Sequence, residues 1–371
     1  MRALMVGRTR YALPLAPALA RKFDALGGQF DLRVLGSAAP GSPTRDATFE
    51  LVPPVRPRVL DGPLFYALLP FRTARVLRAF RPQIVFAQSP FEGAAAMLAR
   101  RLARVPTKVV VELHGDWRAS TRLYGSRARG LVGRVGDAVA ARAVRRADAV
   151  RALSDFTVGL AREHGVEPAA VFTTYSDLSA FTAAPPAPLP ERPTALFVGV
   201  LERYKNVDGI VAAWRLAASR VPDARLRLVG RGRDAPIVEA LVAELPEQTS
   251  WTPALTAPEV VQALDEATML LLPSRSEGTP RVIIEAFARG RAVVAGRRGG
   301  MPDLVREDVE GHLVDPEHVE AIADAIVRVL GDPEHARRLG AAAAARASEW
   351  TYDAQEYGRR MRALADRVVA G

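Results

Sequence analysis

A short unit in the middle of the chain does most to limit the possible folds. Residues 270–303 read LLLPSRSEGTPRVIIEAFARGRAVVAGRRGGMPD. Leu270 to Leu272 is a brief apolar run halted by Pro273, which reads as a buried strand ending in a loop. Thr279-Pro280 is a helix start, with a hydroxyl expected at the N-cap and proline at the first helical position. Ile283 and Phe287 give that helix a buried side, Gly290 stops it, and Ala292 to Ala295 is a second strand. Gly299-Gly300 opens the next loop, before Pro302.

The same alternation runs through the whole chain. In the first half, strands are expected at Ala3–Val6, Leu32–Leu35, Ile84–Ala87, Val109–Leu113 and Ala149–Leu153. Helices are expected at Leu15–Leu26, Arg72–Phe80, Gly93–Leu102 and Gly130–Ala147, with a loop at Gly7-Arg8-Thr9-Arg10. In the second half, strands at Ala195–Gly199 and Arg225–Val229 alternate with helices at Val207–Arg220 and Glu259–Leu264, and the end is helical. Strands spaced by helices predict parallel sheets covered on both faces. Prolines 185, 186, 188, 190 and 193 exclude a helix there and read as an exposed linker. The predicted fold class is therefore α/β. It has two Rossmann-like, doubly wound domains over residues 1–184 and 185–352, facing a central cleft. The final helix, 353–371, crosses back to the first domain at the Trp350-Thr351-Tyr352 break.

At 371 residues, the chain is long enough for two such cores. It has no cysteine, which rules out disulfides and thiolate metal sites and fits a reducing, cytoplasmic setting. The net charge of +10 is uneven. Residues 1–184 hold 27 Lys+Arg against 14 Asp+Glu, net +13. That excess suits an anionic partner, such as a membrane surface or a phosphorylated or lipid-linked acceptor. No aromatic-interleaved basic motif points to nucleic acid. The five histidines are scattered without an i, i+4 pair, and no Asp-x-Asp occurs, so no metal site is expected.

The central unit also carries chemistry. Glu277 lies in the loop before the helix. Glu285 lies in its second turn, roughly 200° around from Ile283 at about 100° per residue, and so on the outward side. A helix N-terminus attracts phosphate, and Arg275 and Arg281 add charge. Anion-binding groups beside paired carboxylates suit a nucleotide sugar, whose diphosphate is flanked by hydroxyl-bearing rings.

With its E-x7-E spacing, SEGTPRVIIEAFARGRAVVA resembles the donor-site segment of retaining glycosyltransferases of family 4. The resemblance implies the GT-B fold. It also implies transfer of a sugar from a UDP- or GDP-linked donor to an acceptor hydroxyl with retention, and without metal or cofactor. Gly199-Val-Leu-Glu-Arg-Tyr-Lys205-Asn resembles the family's phosphate-contacting segment. Val200 replaces the usual arginine there, leaving Arg203 or Arg275 to supply that charge. The resemblance assigns Glu277, His114 and Lys205 to catalysis. Donor binding falls to Glu285, Arg203, Arg275, Gly278, Thr279, Pro280, Arg281, Val282, Gly199 and Gly230. His114, in VVVELHGD, would contact the transferred sugar. Arg8, Thr9, Arg10 and Asp116 are placed on the acceptor side, although the paired glycines that many family members carry near the N-terminus are missing here. Ser154, Asp177 and Phe181 also match family positions and are read as structural. Two other readings fit the same architecture: a nucleotide-sugar epimerase, and a non-enzymatic two-domain binding protein.

Overall fold

The computed structural model describes residues 1–118, 129–350 and 352–371. The chain forms two compact units, Met1–Tyr175 with Tyr352–Gly371, and Ser176–Thr351.

The first unit holds seven parallel strands: β1 (Arg2–Tyr11), β2 (Asp31–Ala38), β3 (Phe49–Val52), β4 (Ile84–Ala87), β5 (Lys108–Leu113), β6 (Ala149–Ala152) and β7 (Ala170–Val171). Their order is β3-β2-β1-β4-β5-β6-β7. Side chains alternate along β1, as the pleat requires. Leu4 and Val6 pack with Leu69 and Leu77 of the Arg58–Phe80 helix, on the face that also holds the Pro90–Ala103 helix. Ala3 and Met5 pack on the other face with Phe23 of the Pro17–Gly27 helix and with Tyr357, Met361 and Leu364 of the Ala354–Ala370 helix. Position 351, inside the expected crossing, lies outside the described residues.

Two expectations for this unit are corrected. Gly7 to Arg10 is strand rather than loop, because β1 shifts register between Val6 and Arg10 and pairs again with Ser37 and Ala38. The basic helix expected from Arg72 begins at Arg58; Pro63 and Pro70 inside it hid its first half.

The second unit holds β8 (Thr194–Val198), β9 (Arg225–Val229), β10 (Thr249–Thr252), β11 (Met269–Leu272), β12 (Ala292–Gly296) and β13 (Gly311–Val314). They are parallel in the order β10-β9-β8-β11-β12-β13. The order reverses between β8 and β11, so the loops leaving those two strands diverge and open a crevice at their carboxyl ends.

The units divide at Tyr175/Ser176, ahead of the proline-rich stretch. That stretch is held by the second unit rather than being a free linker. The Arg289 guanidinium donates to the carbonyls of Phe181, Ala184 and Pro185, and Arg291 donates to that of Ala187. Among the described residues, no helix is long and apolar enough to cross a membrane.

Candidate functional site

The switch point of the second sheet brings together the residues that the sequence singled out there. β8 ends at Val198, and the chain passes through Gly199 into a single 3-10 turn, Arg203–Lys205. β11 ends at Leu272 and its loop runs to Pro280. Across this gap, Lys205 Nζ lies 2.5 Å from Glu277 Oε1. Both side chains are largely buried, at 10% and 12% exposed.

The surrounding backbone fixes both groups. Asn206, in the left-handed region at φ 61°, donates from Nδ2 to the carbonyls of Pro273 and Pro316, which ties the two loops together behind Lys205. Gly230 sits at φ 149°, and a Cβ there would fall 1.8 Å from the Gly199 carbonyl oxygen, so the loops after β8 and β9 touch backbone to backbone. Gly299 plays the same part for Glu277. A Cβ on it would meet the Glu277 carbonyl at 2.1 Å, and the Gly300 N–H donates to that carbonyl.

The helix after Glu277 differs from expectation. It spans Arg281–Ala288 with Pro280 at the N-cap, and the Thr279 hydroxyl makes no capping bond. Thr279 Oγ1 and Ser274 Oγ are buried without a hydrogen-bond partner among the described residues. Gly278 is half-buried between Glu277 and Thr279. Val282 packs into the core, leaving only its backbone N–H to offer a ligand. Glu285 does not face outward. Every residue from Val282 to Ala288 is buried, and the Pro333–Arg346 helix and the Ala347–Trp350 turn pack on this helix. Burial lifts the Glu285 carboxyl above its ordinary range, opposed by Arg281, whose Nε lies 2.6 Å away.

Two arginines expected on a phosphate have protein partners. Arg275 grips Asp208 with two hydrogen bonds of 2.7 and 3.0 Å and also donates to Glu317 and to the Arg203 carbonyl. Its hydrogen bonds hold the Asp208 carboxyl below the ordinary range. Arg281 is shared between Glu285 and the Asp177 carbonyl. Arg203 is exposed, and its side chain acts on Asp234 only through its charge.

In the first unit, His114 follows β5, and its Nε2 lies 3.4 Å from Glu112 Oε2. Glu112 is in turn bound by Arg151 at 2.9 Å, with both side chains essentially inaccessible. Burial pushes the Glu112 carboxyl up, but Arg151, His114 and Lys22 together bring it down to about 2. Glu112 and Arg151 were not singled out from sequence. The signal was there: a carboxylate inside the apolar run VVVEL must have a buried partner. Asp116 accepts from the Arg118 backbone and guanidinium. Arg8 and Arg10 both donate to Asp61, and the Thr9 hydroxyl donates to Gln88. The three are thus engaged within their own unit.

Two histidines read as scattered also meet. His312 Nε2 lies 3.0 Å from His335 Nε2, and these atoms with Asp308 form a group of metal-ligand type. Hydrogen bonding accounts for the group. His312 Nδ1 faces Glu307 at 2.7 Å, and Arg338, which can only donate, faces His335 Nδ1 at 3.2 Å. His335 must then donate from Nε2 to His312. Arg328 and Arg338 already neutralise Asp308.

The comparisons bear on both halves. Residues 7–175 match the model described as glycosyl transferase 4-like domain, and residues 183–346 match glycosyl transferases group 1. The chain belongs to glycosyltransferase family 4. This family 4 chain is 31% identical to the Arabidopsis thaliana sulfoquinovosyl transferase SQD2, over 42% of its own length and 30% of the relative's. It is 30% identical to a GDP-mannose-dependent alpha-(1-6)-phosphatidylinositol monomannoside mannosyltransferase of Mycolicibacterium smegmatis, over 48% of each. The chain thus spans less than half the length of these relatives. Sucrose-phosphate synthase from Thermosynechococcus elongatus superposes with a TM-score of 0.78 at 19% identity, covering 100% of both chains. Anabaena HepE, solved with UDP and glucose, gives 0.71 at 17% over 99% of both. These likenesses establish the GT-B fold class.

Proposed function

We propose that the chain transfers a sugar from a nucleoside-diphosphate sugar to an acceptor hydroxyl, with retention at the anomeric carbon. The observation that carries this reading is the Lys205–Glu277 pair at the switch point between β8 and β11, where ligands of doubly wound sheets bind. An ammonium has three donors and spends one on Glu277. The other two serve a diphosphate, together with Arg203 and the free N–H groups at the Arg281–Ala288 helix start. These cations and dipoles stabilise the leaving diphosphate without a metal. Glu277 accepts from sugar hydroxyls and Glu285 from the ribose. His114, oriented by Glu112, contacts the transferred sugar.

Retention follows from the family's mechanism, in which the leaving phosphate oxygen takes the acceptor proton on the departing face. The acceptor is a small molecule, glycan or lipid-linked hydroxyl, and the setting is cytoplasmic, at an anionic membrane surface. UDP is the first donor nucleotide to try, because HepE was solved with it. The family match favours transfer over the epimerase and binding-protein readings.

Thermal unfolding with UDP, GDP, ADP, CMP and dTDP, with and without magnesium, tests the donor site. A ligand at 100 times its dissociation constant adds about 2.7 kcal/mol, on the order of 5 to 10 °C for a domain of this size. One diphosphate should shift the transition equally with and without the metal. No shift with any nucleotide would overturn the reading.

A further inference from the structure

The helices Arg58–Phe80, Pro90–Ala103 and Arg129–Arg146 lie side by side on one face of the first sheet. Their outward surface is unlike an ordinary solvated one. On the first helix, Leu60, Leu64, Leu68 and Phe71 form a single stripe, and Phe71 is 62% exposed. These residues recur every three or four positions, so the helix is apolar on its outward side as well as its core side. The stripe ends in the exposed arginines Arg75, which pairs with Glu50, and Arg78, which donates to the Leu102 carbonyl. The next two helices continue the pattern with exposed Leu98, Leu102, Val135 and Val139. Between them lies a groove of about 390 Å³ lined by Met97, Leu98 and Val139 together with Arg101, Arg142 and Arg146. These three arginines have no acidic partner among the described residues, and Arg145 beside them is also exposed. The three helices carry only Asp61, Glu92 and Asp137 as acids, and none is exposed.

We propose that this face docks the first unit on an anionic lipid bilayer, with the leucine and phenylalanine side chains entering the acyl boundary and the arginines engaging lipid phosphates. Aliphatic side chains beside Arg101, Arg142 and Arg146, which lack acidic partners among the described residues, match an interface that is apolar below and anionic above. A nucleic acid offers nothing to the leucines. A second copy of this face would bring unneutralised arginines against each other. The inference rests on the proposed transferase only in supplying a reason for the location, a lipid-linked acceptor. The face itself is remote in sequence from the nucleotide-binding loops.

The test is sedimentation of the full chain with vesicles of phosphatidylcholine alone and of phosphatidylcholine mixed with phosphatidylglycerol, at low and high salt. Binding is expected to the anionic vesicles and to weaken with salt. Arg142→Ser with Arg146→Ser should lower it on the order of 20-fold at low salt, since each interfacial arginine contributes about a fivefold factor. Leu68→Ser with Phe71→Ser should lower it at every salt concentration. Both variants change exposed positions, so they should keep the parent's unfolding temperature and its shift with diphosphate. Loss of that shift in the parent would sink the transferase reading alone. The membrane face is overturned if the parent ignores anionic vesicles at low salt, or if both variants bind as it does. It is also overturned if Leu68→Ser with Phe71→Ser instead dissolves a dimer seen by analytical ultracentrifugation.

Discussion

Arg275 and Arg203 carry the same charge and lie on adjoining loops, yet their surroundings give them opposite work. Arg275 spends its guanidinium on Asp208, Glu317 and a carbonyl, so a phosphate would have to compete with carboxylates already in place. Arg203 is exposed, with only the charge of Asp234 near it. Arg203→Ala is expected to weaken diphosphate binding about tenfold, a charge-assisted hydrogen bond being worth roughly 1.5 to 3 kcal/mol, with the unliganded unfolding temperature unchanged. Arg275→Ala is expected to lower that temperature by about 2 to 4 °C, in keeping with a partly exposed network worth about 1 kcal/mol. Calorimetric titration and thermal unfolding separate the two. The reverse pattern would return Arg275 to the phosphate. Residue type and spacing found Glu277 and Lys205 because the family segment fixes them. They did not show which arginine was free, since that depends on Asp208 and Glu317, distant in sequence from the motif.

Among the elements, the short buried strands were the most legible. Ile84–Ala87 and Arg225–Val229 lie where the apolar runs put them. Elements whose side chains contradict their setting were missed. β10 reads Thr-Ser-Trp-Thr, and the Arg58–Phe80 helix contains two prolines. The Arg281–Ala288 helix reads as one-sided in the sequence, but a second layer of helix also packs on it. The resemblance places Gly230, at the end of β9, among the donor-binding residues. Its geometry ties it to Lys205, since Gly230 at φ 149° touches the carbonyl of Gly199 on the Lys205 loop. Gly230→Ala should therefore push that loop away from β9 as well as strain the backbone. A destabilisation on the order of 2 to 3 kcal/mol is expected, together with a weaker diphosphate-induced shift. Normal stability and normal shift in this variant would mean that the loops can separate freely and that the glycine does not position Lys205.

At the scale of the whole molecule, the buried charges determine how the protein meets acid. His335 is held below the ordinary imidazole value by burial first, then by His312 and nearby arginines. A base depressed in the folded state gives stability that is complete above its unfolded value, near 6.5, and lost as pH falls through the folded one. Glu112 in the first unit is depressed from 4.5 to about 2, so its contribution is complete above 4.5 and disappears on the way to 2. That displacement corresponds to about 3 kcal/mol. The unfolding temperature should therefore fall modestly as pH drops below 6.5, where His164 is depressed by burial as well, and steeply below 4.5. The two limbs have different origins and can be reduced separately. His335→Gln should make the upper limb shallower, leaving the share of His164. Glu112→Gln with Arg151→Met removes both members of the buried pair, so that neither charge is stranded; it should make the lower limb shallower, the remainder coming from Asp208, Glu307 and Glu310, and leave the upper one in place. A double variant whose temperature still tracks the parent's between pH 4.5 and 3 would show that the Glu112–Arg151 pair does not govern acid unfolding. His114 would then be oriented by a carboxylate with no special hold on its charge.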